Sequence, residues 1–133
     1  MENSTKKILI VEDDQFLREF YQELLQSEGF SVDVAADGDD ALSKASVGGY
    51  ALILLDIMLP KKDGLQILRD LKVSPPKEAN GPIVVLTNLG QEVIIKQSFA
   101  LGAAGFITKS AMNPDQVLQE IRSYLQKNDK NNI

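Results

Sequence analysis

The sequence predicts an α/β fold, (βα)₅: five parallel strands and five helices forming a doubly wound sheet in the order 2-1-3-4-5. Three observations carry this reading. Short apolar runs alternate with longer stretches whose apolar residues recur at helical spacing, which is the pattern of a parallel sheet covered on both faces. The first, third and fourth runs are apolar throughout, as strands buried on both faces must be. The second run alternates and the fifth contains Gly105 and Thr108, so these two read as edges. A length of 133 residues with no repeat or low-complexity segment predicts one domain over 1–133. Its core is expected at about 7–126, with 127–133 as a polar, frayed tail.

The elements follow in order. Ile8 to Val11 is a strand ending at three acids, Glu12, Asp13 and Asp14. Phe16, Leu17, Phe20, Tyr21, Leu24 and Leu25 form a helical stripe that stops at Gly29. Ser31 to Ala35 alternates, with Val32 and Val34 on one side. Asp39 to Ser46 is a short helix ended by Gly48 and Gly49. Ala51 to Leu55 is apolar and ends at Asp56. Leu65, Leu68 and Leu71 mark the third helix. Ser74–Pro82 is a Pro-rich connector, longer than most. Ile83 to Leu86 ends at Thr87, Val93 to Leu101 is helical, and Phe106 to Thr108 ends at Lys109. Asn113 and Pro114 suit the cap and first position of a last helix with Val117, Leu118, Ile121, Tyr124 and Leu125 inward.

Composition narrows the function. Fourteen Lys and Arg against nineteen Asp and Glu give a net charge of −5. An acidic chain with no basic run is not built to bind nucleic acid or anionic lipid by charge. It has no cysteine and no histidine. That excludes disulfides, thiolate zinc sites, cysteine nucleophiles, histidine bases and phosphohistidine on this chain. The N-terminus lacks the pattern of a signal peptide, and the longest apolar stretch is interrupted by Asp56. A cytoplasmic protein with no membrane insertion is expected.

In an open α/β sheet the ligand site lies beyond the carboxyl ends of the strands, where the winding direction switches. Here the switch falls between strands one and three, which end in Glu12-Asp13 and Asp56. Three carboxylates at one mouth repel one another unless a cation neutralises them. Oxygen ligands without His or Cys select a hard ion such as Mg²⁺. A carboxylate beside such an ion can attack a phosphoryl group. Thr87 and Lys109, at the ends of strands four and five, add a hydroxyl and a mobile cation suited to phosphoryl oxygens.

The segments ILIVEDD at Ile8–Asp14, LILLDIMLPKKDG at Leu52–Gly64, IVVLT at Ile83–Thr87 and GAAGFITK at Gly102–Lys109 closely resemble the response-regulator receiver family of two-component signalling. The likeness spans about Lys7 to Gln126. It implies a flavodoxin-like fold with Asp56 as phosphoacceptor. It implies Mg²⁺, or Mn²⁺ in its place, held by Glu12, Asp13, Asp56 and the Met58 carbonyl. Thr87 and Lys109 would contact the phosphoryl group, and Phe106 occupies the place of the family's rotating aromatic switch. The implied phosphate donor is a phosphohistidine on a sensor histidine kinase or phosphotransfer protein. The output surface would be helix four, strand five and helix five, acting on a downstream protein target or a phosphorylation-dependent homodimer. With nothing recognisable after the last helix, a stand-alone receiver is expected, a signalling phosphoacceptor and not an enzyme.

The sequence departs from the family at three places. Ser110 follows Lys109 where proline, often cis, is usual; a cis bond there costs about 3 kcal/mol. Asn88 stands where a small residue is usual, beside the phosphoryl site. Met58 and Leu89 are both apolar, an apolar lid expected to slow hydrolysis of an acyl phosphate. Other features have plainer readings. Asp14 reads as a helix cap. Asp37, Asp39 and Asp40 read as a turn and cap, and Lys61, Lys62 and Asp63 as a solvated loop and cap. Two other functions compete. An aspartyl-phosphate phosphohydrolase of the haloacid-dehalogenase type would want an acid where Met58 stands. A receiver-like module that binds protein without phosphorylation is the alternative that Asn88 and Ser110 leave open.

Overall fold

The computed structural model describes residues 6–88, 90–109 and 113–131, with side chains as far as 127. Five βα units follow in sequence: β1 (Lys7–Val11), α1 (Gln15–Ser27), β2 (Ser31–Ala35), α2 (Gly38–Val47), β3 (Leu52–Asp56), α3 (Gly64–Val73), β4 (Ile83–Thr87), α4 (Glu92–Ala100), β5 (Gly105–Thr108) and α5 (Pro114–Asn131). All strand pairs are parallel, in the order β2-β1-β3-β4-β5. Fold class and strand order are those the sequence predicts, and most boundaries move by a residue. The exception is α5, which continues to Asn131 where a polar tail was expected from 127. No glycine or proline follows Gln126 to stop it, and Lys, Gln and Asn continue a helix at small cost.

The side-chain period of two divides the core between the faces of the sheet. Ile8 and Ile10, Leu52 and Leu54, Val84 and Leu86, and Ile107 face α1 and α5, meeting Tyr21, Leu25, Val117 and Ile121. Leu9 and Val11, Ile53 and Leu55, and Val85 face the other way, where Ala41, Ala45, Ile67 and Leu68 cover them. Every residue of β3 is buried, which explains why its sequence shows no alternation.

The helix starts repeat one device. Asp14, Asp37 and Asp63 accept hydrogen bonds from the amides of Leu17, Asp40 and Gln66, which caps α1, α2 and α3. Asn113 and Gln116 cap α5 reciprocally, each side chain accepting from the other's amide at 2.9 Å. The long connector before β4 is not loose. The Lys77, Glu78 and Gly81 amides donate to Ser46, Val47 and Tyr50 carbonyls, and Glu78 forms a parallel bridge with Gly48. Asn80 adds side-chain bonds to the Ala45 carbonyl and the Tyr50 amide. Among the described residues no helix is long and apolar enough to cross a membrane.

Candidate functional site

The registers fix what meets at the carboxyl ends of the strands. Val11 pairs with Leu55, so Glu12 and Asp13 emerge beside Asp56. Asp56 pairs with Leu86, and Thr87 with Thr108, which brings Thr87 and Lys109 to the same rim. The Lys109 amide donates to the Thr87 carbonyl at 2.8 Å, fixing the root of the lysine.

Carboxylate oxygens of Glu12, Asp13 and Asp56 lie within 4.8 Å of one another. Glu12 is 0% exposed and Asp56 2%, whereas Asp13 is open to solvent. Lys109 Nζ bridges the two buried acids, 2.7 Å from Asp56 Oδ2 and 2.8 Å from Glu12 Oε1. Asp56 Oδ1 accepts from the Met58 amide at 3.0 Å, and Glu12 Oε2 from the Asp14 amide at 3.0 Å. Arg18 donates to the Glu12 and Asp13 carbonyls and braces the acidic loop from α1.

Three carboxylates share one ammonium, an excess of two negative charges when all are ionised. Burial is the main reason the Glu12 carboxyl is pushed up to about 7; bonds from Lys109 and the Asp14 amide oppose it, and the charge of Asp56 adds to it. Burial pulls Lys109 down, but its pairing with Asp56 and Glu12 outweighs this and holds the ammonium above its ordinary value. Glu12 Oε1 accepts no well-directed hydrogen bond, although Lys109 lies at ion-pair distance. A buried, under-satisfied carboxylate oxygen within an all-oxygen donor set suits a hard divalent cation. Glu12, Asp13 and Asp56 are therefore a fitting ligand set.

Thr87 is buried, and its hydroxyl is directed at Gln91: Oγ1 donates to Gln91 Oε1 at 2.6 Å and lies 3.1 Å from the Asn88 carbonyl. Phe106 is 40% exposed and meets Phe99 edge-on, with ring centroids 6.4 Å apart. Met58 is exposed at the mouth, and so is Asn88. Leu89 and Ser110 lie outside the described residues; of the two residues expected to form an apolar lid, only Met58 is described. The geometry thus gathers Glu12, Asp13, Asp56 and Lys109 closely, sets Thr87 on the same rim facing Gln91, and leaves Phe106 outward. Sequence reading missed Arg18 and Gln91. Each lies in or just before a first helical turn, where a polar residue signals only solvent or a cap.

A doubly wound parallel sheet with acids at its switch point and a lysine reaching in from the edge strand defines a class, the receiver modules of two-component signalling. The response regulator receiver domain family matches residues 8–122, and the chain belongs to it. It is 40% identical over 116 residues to the transcriptional regulatory protein DltR of Streptococcus agalactiae, covering 87% of this chain and 50% of that one. The BeF3-activated N-terminal receiver domain of Klebsiella pneumoniae RstA superposes with a TM-score of 0.78 at 35% identity, covering 90% of this chain and 98% of that one. The chemotaxis response regulator CheY4 of Vibrio cholerae gives 0.75 at 26%, with the same coverage. The chain spans about half the length of the curated relatives it matches.

Proposed function

We propose that this receiver accepts a phosphoryl group on Asp56 from a phosphohistidine and passes the signal on as a change of shape. The observation that carries the proposal is the buried Asp56 carboxylate, which shares Lys109 with Glu12 inside a three-acid cluster. A carboxylate oxygen of Asp56 forms the new bond to phosphorus. The N–P bond of the donor breaks, and its electron pair stays on the leaving imidazole. Mg²⁺, or Mn²⁺ in its place, held by Glu12, Asp13, Asp56 and the Met58 carbonyl, would neutralise charge on the approaching oxygens. The Met58 amide and Lys109 fix the carboxylate before transfer, and Lys109 then follows the added negative charge.

Thr87 would turn its hydroxyl to the phosphoryl group, and Phe106 would leave its exposed position and turn inward. The surface of α4, β5 and α5 changes with them, as a shift between two populations. The donor is a sensor histidine kinase or histidine phosphotransfer protein, and the receiver of the signal a downstream protein or a second copy of this chain. The setting is the cytoplasm, and the role is that of a phosphoacceptor with no turnover of its own. The apolar Met58 and Leu89 should prolong the phosphorylated state; an unchanged dephosphorylation rate in Met58→Asn with Leu89→Glu would remove that idea.

The test is intact-protein mass after incubation with acetyl phosphate, with and without Mg²⁺, for the wild type and Asp56→Asn. One phosphoryl group gained only with Mg²⁺ and Asp56 supports the proposal. A folded protein that binds Mg²⁺ yet takes phosphate neither from acetyl phosphate nor from a phosphohistidine donor would overturn it in favour of a phosphorylation-independent binding module.

A further inference from the structure

Four of the five helices begin with an Asp or Asn whose side chain accepts from its own first turn. Helix α4 does not: its cap residue is Gln91, and that side chain makes no cap bond. The carboxamide turns back to the end of β4, where Oε1 accepts from the Thr87 hydroxyl at 2.6 Å and from the Asn88 amide at 3.1 Å. The Asn88 N–H can only donate, so the group facing it must be the amide oxygen. Thr87 must then donate to that same oxygen. Its hydroxyl has a single proton, which is directed at Gln91 at 2.6 Å, with the Asn88 carbonyl at 3.1 Å a longer second acceptor.

We propose that Gln91 is a latch. It holds the Thr87 hydroxyl and the Asn88 amide in the unphosphorylated arrangement and releases the hydroxyl when Asp56 is phosphorylated. The proposal rests on the phosphoacceptor reading of Asp56. One hydroxyl proton cannot serve Gln91 and a phosphoryl oxygen together, so engagement of one excludes the other. A charged phosphoryl oxygen is the stronger acceptor and draws the proton across. The exchange loses the Gln91 bond, and the latch therefore opposes switching by the worth of that bond. It also links two elements. Once Thr87 leaves, Gln91 is tied to the strand end only through the Asn88 amide, and the uncapped first turn of α4 loses half of its anchor. Gln91 is thus a positioning residue that couples the phosphoryl site to α4.

The test measures the affinity of the Mg²⁺-saturated protein for beryllium fluoride, used as a phosphoryl mimic, by calorimetry. Backbone amide spectra check the fold. Gln91→Leu, which cannot accept, should bind about 2–10-fold tighter than wild type, the range expected from releasing one hydrogen bond. Gln91→Ala should act in the same direction and serves if the leucine variant folds poorly. Gln91→Glu keeps a stronger acceptor and should bind more weakly than wild type. In a Thr87→Val background the gain from Gln91→Leu should vanish, because the latch acts only through that hydroxyl. Equal or weaker binding by folded Gln91→Leu, or a gain that persists without the Thr87 hydroxyl, overturns the latch and leaves the phosphoacceptor reading standing. Failure of the wild type to bind the mimic, or equal binding by Asp56→Asn, overturns that reading and the latch with it.

Discussion

Replacing Glu12 by glutamine should make the metal-free protein more stable at pH 8, although it removes a partner of the half-buried Lys109. Burial above all raises the Glu12 carboxyl from 4.5 to about 7, against the favourable bonds from Lys109 and the Asp14 amide. At roughly 1.4 kcal/mol per pH unit, holding Glu12 ionised in the fold at pH 8 costs on the order of 3 kcal/mol. The sign follows from proton uptake. Between about 4.5 and 7 the folded chain holds a proton that the unfolded chain has released, so stability falls as pH rises through that window. A neutral amide escapes this loss. Urea unfolding with a chelator present, at pH 5 and pH 8, should place Glu12→Gln about 2–3 kcal/mol above wild type at the higher pH. The gap should be much smaller at the lower pH. Saturating Mg²⁺ should then close the gap, since a cation at a hundred times its Kd adds about 2.7 kcal/mol to a protein that binds it. Equal stability at pH 8, or the same gap at both pH values, would refute the reasoning.

Three further outcomes are expected. Gly38→Ala places a Cβ 1.8 Å from the Lys62 carbonyl oxygen, a backbone atom that no rotamer change can move, and should cost about 1–3 kcal/mol in thermal or urea unfolding. Asn80→Ala removes the bonds to Ala45 and Tyr50 and should cost about 1–2 kcal/mol, measured in the same way. Burial raises all three tyrosines, with the Asp33 bond adding to it at Tyr50. The folded state therefore prefers the protonated phenols, and stability should fall as pH rises beyond the ordinary tyrosine value of about 10. Phenolate absorbance should appear late and together with the loss of helical circular dichroism; early, non-cooperative ionisation would contradict the burial argument.

The fold was legible because each strand carries its burial in its composition. Leu52–Asp56 is buried at every position and apolar at all but the last, while Ser31–Ala35 alternates at an edge. The acids and Lys109 were legible for a geometric reason: they are the residues at which three strands stop, and the winding rule says where strand ends meet. The direction of the Thr87 hydroxyl was not legible. It is a rotamer settled by a glutamine four residues on, and a glutamine before a helix looks like any surface residue. The double pairing of Lys109 was hidden for a similar reason, since spacing along the chain fixes a rim and not the reach of a side chain. The length of α5 was misjudged because polarity was taken for an end signal, whereas helices end at glycine, proline or a cap.

The stitching of the Pro-rich connector bears on how the molecule comes apart. Lys77, Glu78 and Gly81 bond not to their own neighbours but to the end of α2 and the segment that follows it, some thirty residues earlier in the chain. A stretch that reads as an inviting site for proteolysis is thereby clamped at both backbone and side chain. Cleavage there has to wait for the second and third crossovers to open together. Nicking of this connector would therefore report cooperative opening of that side of the sheet, at the end remote from the acids, and not the local motion of a surface loop.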